Sequence, residues 1–227
     1  MVSSDITTVL VHGAWADGSS WARVIEQLHQ AGQRAVAAPL PLTSLDSDVV
    51  ALDRVINRVD GPVVLAGHAY AGAVIGATRA KAVKGLVYVA ALAPDQGETV
   101  ADVFYRTKPH PLAPQLAPDA DGLIWLPDAA FSTAFAQQAT EAEQTVLAAV
   151  QRPIAAACIA APVGRPLWRD VPSWYLIAEE DRMIVAENQR FMAERMGARI
   201  TAHPVDHTPL VTRPDLVAAM ILEALRA

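Results

Sequence analysis

Short runs that are apolar at successive positions recur along this chain, separated by stretches where apolar residues return every three or four positions. Runs apolar on both faces mark parallel strands covered by helices on each side, so the pattern predicts an α/β fold with a mostly parallel central sheet flanked by helices. Strands are expected at Thr7–Val11, Arg34–Ala38, Val63–Ala66, Gly85–Ala91, Ser173–Ala178 and Ile200–Pro204. Between them, Ser20 is expected to cap a helix that carries Trp21, Val24, Ile25 and Leu28 inward and stops at Gly32. Further helices are expected over Asp46–Arg58, Tyr70–Ala80 and Pro214–Leu225, the last with proline in its first turn.

Between Ala93 and Arg169 this rhythm breaks. Prolines cluster at 109, 111, 114, 118 and 127, and no strand signal occurs for about seventy residues. Thr140-Glu141-Ala142-Glu143 reads as a capping box opening a helix that ends before Pro153. The segment is too short and too proline-rich to hold a large core of its own, so residues 1–227 read as one domain with a partly helical lid insertion over about 94–169.

Composition narrows the possible partners. With 227 residues, 52% of them hydrophobic and 19% charged, the chain can bury a full core, and no run reaches the length of a membrane span. The N-terminus shows no export signal, which predicts a soluble, cytoplasmic protein. The net charge of −6, with no Lys/Arg-rich stretch, argues against nucleic acid. The single cysteine, Cys158, reads as a buried apolar side chain, and no His/Cys/Asp/Glu spacing suggests a metal.

The chemistry begins at Val64-Leu65-Ala66-Gly67-His68-Ala69-Tyr70-Ala71-Gly72. A strand entering a helix through a tight turn of small residues is the geometry of a nucleophile elbow, which thrusts its central side chain above the sheet. Here that central residue is Ala69, and a methyl group has no lone pair with which to attack a carbonyl. His207, in the loop between the last strand and the last helix, can lean over the sheet as a general base; His203, within the strand, is the competing histidine. The acid that would orient the base belongs just after the preceding strand, at Asp181, with Glu179 or Glu180 as alternatives. Backbone N–H groups of Ala14, beside Gly13 in the first loop, and of Tyr70 would form an oxyanion hole. His68 reads as a packed or hydrogen-bonded neighbour of the elbow.

Together, Val9–Trp15 with Gly18 and Trp21, the Gly67-His68-x-Tyr70-x-Gly72 elbow, Asp181 in a Glu-Asp-Arg-Met-Ile turn, and Asp206-His207 followed by Pro214 resemble the α/β-hydrolases related to plant methyl-salicylate-type esterases, hydroxynitrile lyases and bacterial pyrethroid-hydrolase-like esterases. The resemblance spans the core and is weak over the lid. It implies the α/β-hydrolase fold, a catalytic serine at position 69, the acid at Asp181, the base at His207, no cofactor and a small-molecule ester substrate. It also leaves a homodimer open. The implied activity of a serine-bearing form is hydrolysis of a small to medium apolar or aromatic ester; a hydroxynitrile-lyase-like lyase and a non-catalytic ligand-binding protein are the alternatives. The chain with Ala69, whether by engineered Ser→Ala exchange or natural loss, is expected to be inactive or nearly so. Trp15, Phe104, Trp125 and Phe131 are the expected substrate-binding aromatics.

Overall fold

The computed structural model describes residues 6–227. In chain order these form β1 (Thr7–Val11), a 3-10 turn at Gly18–Trp21, α1 (Ala22–Gln30), β2 (Ala35–Ala38), α2 (Leu45–Ile56), β3 (Val63–His68), α3 (Ala71–Ala77) and β4 (Val83–Val89). After β4 come α4 (Val100–Phe104), β5 (Leu123–Ile124), α5 (Asp128–Ala130), a π-type turn at Phe131–Phe135, α6 (Glu141–Ala149), β6 (Ile154–Ala155), α7 (Ala156–Ala160) and a 3-10 turn at Leu167–Arg169. The chain closes with β7 (Ser173–Ala178), α8 (Ala186–Arg195), β8 (Arg199–His203), α9 (Pro209–Thr212) and α10 (Pro214–Ala224).

Six strands make one parallel sheet in the order β2-β1-β3-β4-β7-β8. Every residue of β1, β3 and β7 is buried, as expected of strands whose two faces are both covered by helices. The helices begin and end where the local chemistry dictates. Ser44 caps α2 in a reciprocal box with Ser47, and Thr140 caps α6 in the same way with Glu143. Gly32 stops α1 at a φ of +73°, which a glycine adopts without a side-chain clash.

Apart from shifts of one or two residues at element ends, such as β4 at Val83–Val89 where Gly85–Ala91 was expected, three details depart from the sequence expectations. The first helix starts as a 3-10 turn capped by Asp17, whose carboxylate accepts from the Ser19 N–H, so Ser20 lies inside the turn and does not cap it. Helix α3 ends at Ala77, three residues before the expected Ala80, because Thr78 is extended and its hydroxyl is held by Asp53. The segment read as having no strand does contain one pair: β5 and β6 form a two-residue antiparallel ribbon. Ladders this short leave no periodicity to read.

The elbow at the end of β3 is pinned to its neighbour. Ala69 N–H donates to the Val89 carbonyl at 3.3 Å, and the Ala69 carbonyl accepts from Leu92 N–H at 2.9 Å. Helix α3 then runs so close to the exit of β4 that a β-carbon on Gly72 would overlap the Leu92 carbonyl oxygen and sit 2.9 Å from the Ala91 Cβ. Both obstacles belong to the strand exit, where Leu92 N–H is bonded to the Ala69 carbonyl and the Ala91 carbonyl accepts from the Tyr175 hydroxyl, so neither swings aside. Gly72→Ala is therefore expected to lower the unfolding free energy by about 1–3 kcal/mol, read as a fall in the urea midpoint at unchanged slope.

Candidate active site

Four loops converge above the C-terminal ends of β1, β3, β7 and β8. The turn after β3 carries Ala69 at φ +51°, in the left-handed region that a residue with a β-carbon enters at a cost of about 1–2 kcal/mol. The hydrogen bonds to Val89 and Leu92 hold it there and direct its methyl toward the pocket, which gives the turn the geometry of an elbow centred on a methyl group. Ala69→Gly should remove this strain and stabilise the fold by roughly 0.5–1 kcal/mol, seen as a raised urea midpoint.

The turn after β7 carries Asp181, which is 3% exposed. Its Oδ1 accepts from the N–H groups of Met183 at 2.7 Å and Ile184 at 2.8 Å, and its Oδ2 accepts from Gln189 Nε2 at 2.8 Å and His207 Nδ1 at 2.7 Å. Because a carboxylate can only accept, the His207 bond places the ring proton on Nδ1 and leaves Nε2 as a lone pair. His207 lines the pocket described below, and Nε2 has no protein partner among the described residues. Glu179 and Glu180 are exposed and make no contact with His207, while His203 ends β8 outside the pocket. Backbone bonds from Glu179 N–H to the His203 carbonyl and from Glu180 N–H to the Val205 carbonyl run the two loops side by side, which brings Asp181 to His207.

The His207 loop is braced from two directions. Buried Asp206 accepts from Gln138 N–H at 3.0 Å and Thr212 Oγ1 at 2.8 Å. Burial pushes its carboxyl above the usual carboxylate range. His68, also buried, donates from Nε2 to the His207 carbonyl at 2.7 Å, and burial together with the neighbouring His207 holds its imidazole well below the usual histidine value. His68 is thus a neutral strut beneath the loop.

The first loop approaches the elbow closely enough that a β-carbon on Gly13 would lie 2.9 Å from the His68 carbonyl and 3.0 Å from the Ala69 Cβ. Buried His12 secures this loop, donating from Nδ1 to the Gly13 carbonyl at 2.9 Å and accepting at Nε2 from Leu40 N–H at 3.0 Å. Neither Ala14 N–H nor Tyr70 N–H donates to a protein acceptor among the described residues, and both residues border the pocket. The Tyr70 side chain is anchored below by a hydroxyl bond of 2.7 Å to Asp48 Oδ2. Asp48, wholly buried, also accepts from Leu42 N–H at 2.7 Å, and Cys158 Sγ lies 3.7 Å from it. Burial and the Asp48 charge push the Cys158 thiol up to about 12, so it stays protonated.

These groups open onto an apolar pocket of about 590 Å³ including its mouth. Trp15 and Phe104 line it, together with Leu92, Leu116, Ile154, Ile159 and Met183. Two expected aromatics lie elsewhere. Trp125 is 47% exposed, its indole N–H donating to Asp119; it lies just past β5, whose last residue Ile124 faces the pocket, and itself points outward. Phe131 is buried edge-on against Phe135, which in turn packs on the His207 ring, so it supports the site from behind without facing the pocket. The aliphatic wall had no signal of its own in the sequence, and neither did Asp48 or Gln189, since each is one polar or apolar residue among many on a helix or loop. No group of three or more His, Cys, Asp or Glu side chains among the described residues could hold a metal, and no helix among them is long and apolar enough to cross a membrane.

Comparison with known proteins gives the same frame. Residues 8–220 match the profile of a family described as "Alpha/beta hydrolase family". Alpha/beta hydrolase nvfD of Aspergillus novofumigatus is 26% identical over 242 aligned positions, covering 95% of each chain. Among solved structures, polyneuridine aldehyde esterase superposes with a TM-score of 0.84 at 19% identity, covering 98% of this chain and all of that one. A pyrethroid hydrolase, PytH, does so with a TM-score of 0.81 at 19% identity, covering 98% of each.

Proposed function

This chain belongs to the alpha/beta hydrolase family, and on that footing we propose that its pocket is the acyl-binding site of a carboxylic ester hydrolase whose nucleophile position is held by a methyl group. The observation that carries this reading is the placement of Ala69 at φ +51° in a strand-to-helix turn, bordering one pocket with His207, Ala14 and Tyr70. Nothing in ordinary packing requires a strained alanine to meet a histidine already oriented by a buried carboxylate.

In a form bearing serine at position 69, the hydroxyl would pass its proton to His207 Nε2 and attack an ester carbonyl. The Ala14 and Tyr70 N–H groups would hold the tetrahedral oxyanion, and Asp181 would stabilise the imidazolium. The alcohol would leave with the histidine proton, and water would then release the acid. The chain as it stands binds the ester and does not turn it over by this route. The apolar wall selects a small to medium apolar or aromatic ester, a choice supported by neighbours named as an esterase and a pyrethroid hydrolase. A cyanohydrin-cleaving reading asks for a cationic group in the pocket, and no Lys or Arg lines it among the described residues.

The test is hydrolysis of p-nitrophenyl esters of graded acyl length by the chain as it stands and by Ala69→Ser. Silence of Ala69→Ser at every length, with its fold intact, would overturn the reading. In the Ala69→Ser background, Phe104→Ala should move the preference toward longer acyl chains by about tenfold, the worth of one or two methylenes in an apolar pocket.

A further inference from the structure

We propose that the Ala69 form is itself a catalyst, of proton transfer at carbon: it removes and returns a hydrogen on the carbon next to the carbonyl of an apolar aryl ketone. The inference rests on the same carbonyl-seating geometry as the ester reading but does not require hydrolysis.

Three features combine to give this chemistry. The first is the base. Asp181 fixes the Nδ1–H tautomer of His207 from a position where three further donors keep the carboxylate from moving, so the lone pair on Nε2 has one direction. In a serine-bearing site that lone pair would be taken up by the hydroxyl. Here Ala69, which borders the same pocket, has no hydroxyl to take it up, and Nε2 has no protein partner among the described residues. The second feature is the pair of N–H groups at Ala14 and Tyr70, which have no protein acceptor among the described residues and border the same pocket. The third is the wall of Leu92, Ile154, Ile159 and Met183, an apolar lining that strengthens any charge-assisted hydrogen bond formed against it, while the open mouth lets the Nε2 proton exchange with solvent.

A carbonyl oxygen seated on the two N–H groups presents its α-carbon toward His207. The C–H bond breaks, its proton forms the Nε2–H bond, and its electron pair enters the new C=C bond while the carbonyl pair moves onto oxygen. The resulting enolate oxygen is held by the two N–H groups and the imidazolium by Asp181. Return of a proton from Nε2 to carbon regenerates the ketone, so no oxidant, reductant or co-reactant is consumed. General-base catalysis contributes about 10²-fold at the low end of its range, and one oxyanion donor a similar factor. Exchange on the order of 10⁴-fold above the buffer reaction is therefore expected.

The experiment follows loss of the α-proton signal of phenylacetone and larger aryl ketones in deuterated buffer by NMR, with the intact protein. Saturation-transfer difference spectra identify which ketones bind. The expected result is saturable exchange of the bound ketones that is selective for one of the two prochiral α-hydrogens and is lost in His207→Gln. Because a base held on one side of a pocket reads one face, the selectivity measured on the unaltered protein stands even if His207→Gln fails to fold. Failure of every ketone to bind, binding without exchange, unselective exchange, or exchange that survives in folded His207→Gln would each overturn the proposal. Ester hydrolysis by Ala69→Ser separates the two readings. If that variant hydrolyses esters while the Ala69 protein does not exchange, this inference fails alone; if the Ala69 protein exchanges and the serine variant is inert, the ester reading fails alone.

Discussion

Ala69→Ser is expected to turn a protein silent toward p-nitrophenyl esters into a hydrolase, raising turnover by roughly a thousandfold to a millionfold. The upper figure is what removal of the nucleophile costs in a triad whose other parts remain in place. The exchange adds a single oxygen. The elbow already holds its β-carbon at φ +51°, so serine introduces no backbone strain that alanine does not already bear. His207 is already oriented through Nδ1, and the two N–H donors already border the pocket. Under the proposed roles, the new hydroxyl joins an imidazole already oriented and two N–H groups without a protein acceptor among the described residues. Stability should change by no more than about 0.5 kcal/mol, since the hydroxyl faces the pocket. Steady-state release of p-nitrophenol decides the matter, and a rise below tenfold with the fold retained would count against the proposed roles of His207 and Asp181.

Asp181→Ala is expected to cost on the order of 3–5 kcal/mol of stability, more than any other single change considered. The carboxylate is buried and receives four donors, from Met183, Ile184, Gln189 and His207. Truncation leaves these donors facing an apolar cavity, each costing about 1–3 kcal/mol unless the turn rearranges to reach water. Urea unfolding reads the loss directly. Asp181→Asn separates stability from chemistry: its carbonyl oxygen still serves Met183 and Ile184, so the fold should lose only about 1–2 kcal/mol. Its amide nitrogen, however, donates toward His207 Nδ1 and drives the ring to the other tautomer, with the proton on Nε2. In the Ala69→Ser background this should lower ester turnover by roughly 10³- to 10⁴-fold, the scale seen when a triad histidine takes the wrong tautomer. Equal turnover with and without the Asp181→Asn exchange would show that the carboxylate is structural only.

The sequence was most legible where one residue type can do one thing. A strand of Val63, Val64, Leu65 and Ala66 followed at once by glycine and small residues leaves little choice but a buried strand and a tight turn, and the structure has both. Thr140 and Glu143 state a helix start through their own side chains, and the helix begins at Glu141. Asp181 and His207 could be singled out because each directly follows a strand of the parallel sheet, where loops of this fold class gather at one end. Legibility fell where many residues could serve equally. The choice of Trp125 and Phe131 as pocket aromatics relied on side-chain type, but which face of a short ribbon or π-turn looks inward depends on a register that two-residue ladders do not express. The same holds for Asp48, one acid on a helix surface until the fold buries it beneath Tyr70.

By itself, then, the order of residues determined the alternation of strands and helices, the elbow with its methyl-bearing centre, and the short set of ionisable residues in the loops after the strands. These are local properties: burial on both faces, capping and turn chemistry act over a few neighbouring positions. Only the tertiary structure decided which acid meets the histidine, which walls face the pocket and which polar side chains are removed from water. Asp181 and His207 are 26 positions apart, and Asp48 and Cys158 are 110 apart. Contacts at such separations are set by how the parallel strands stack and where the segment between β4 and β7 folds back over them, because burial and hydrogen-bond geometry are fixed by the whole packed molecule rather than by any stretch of chain.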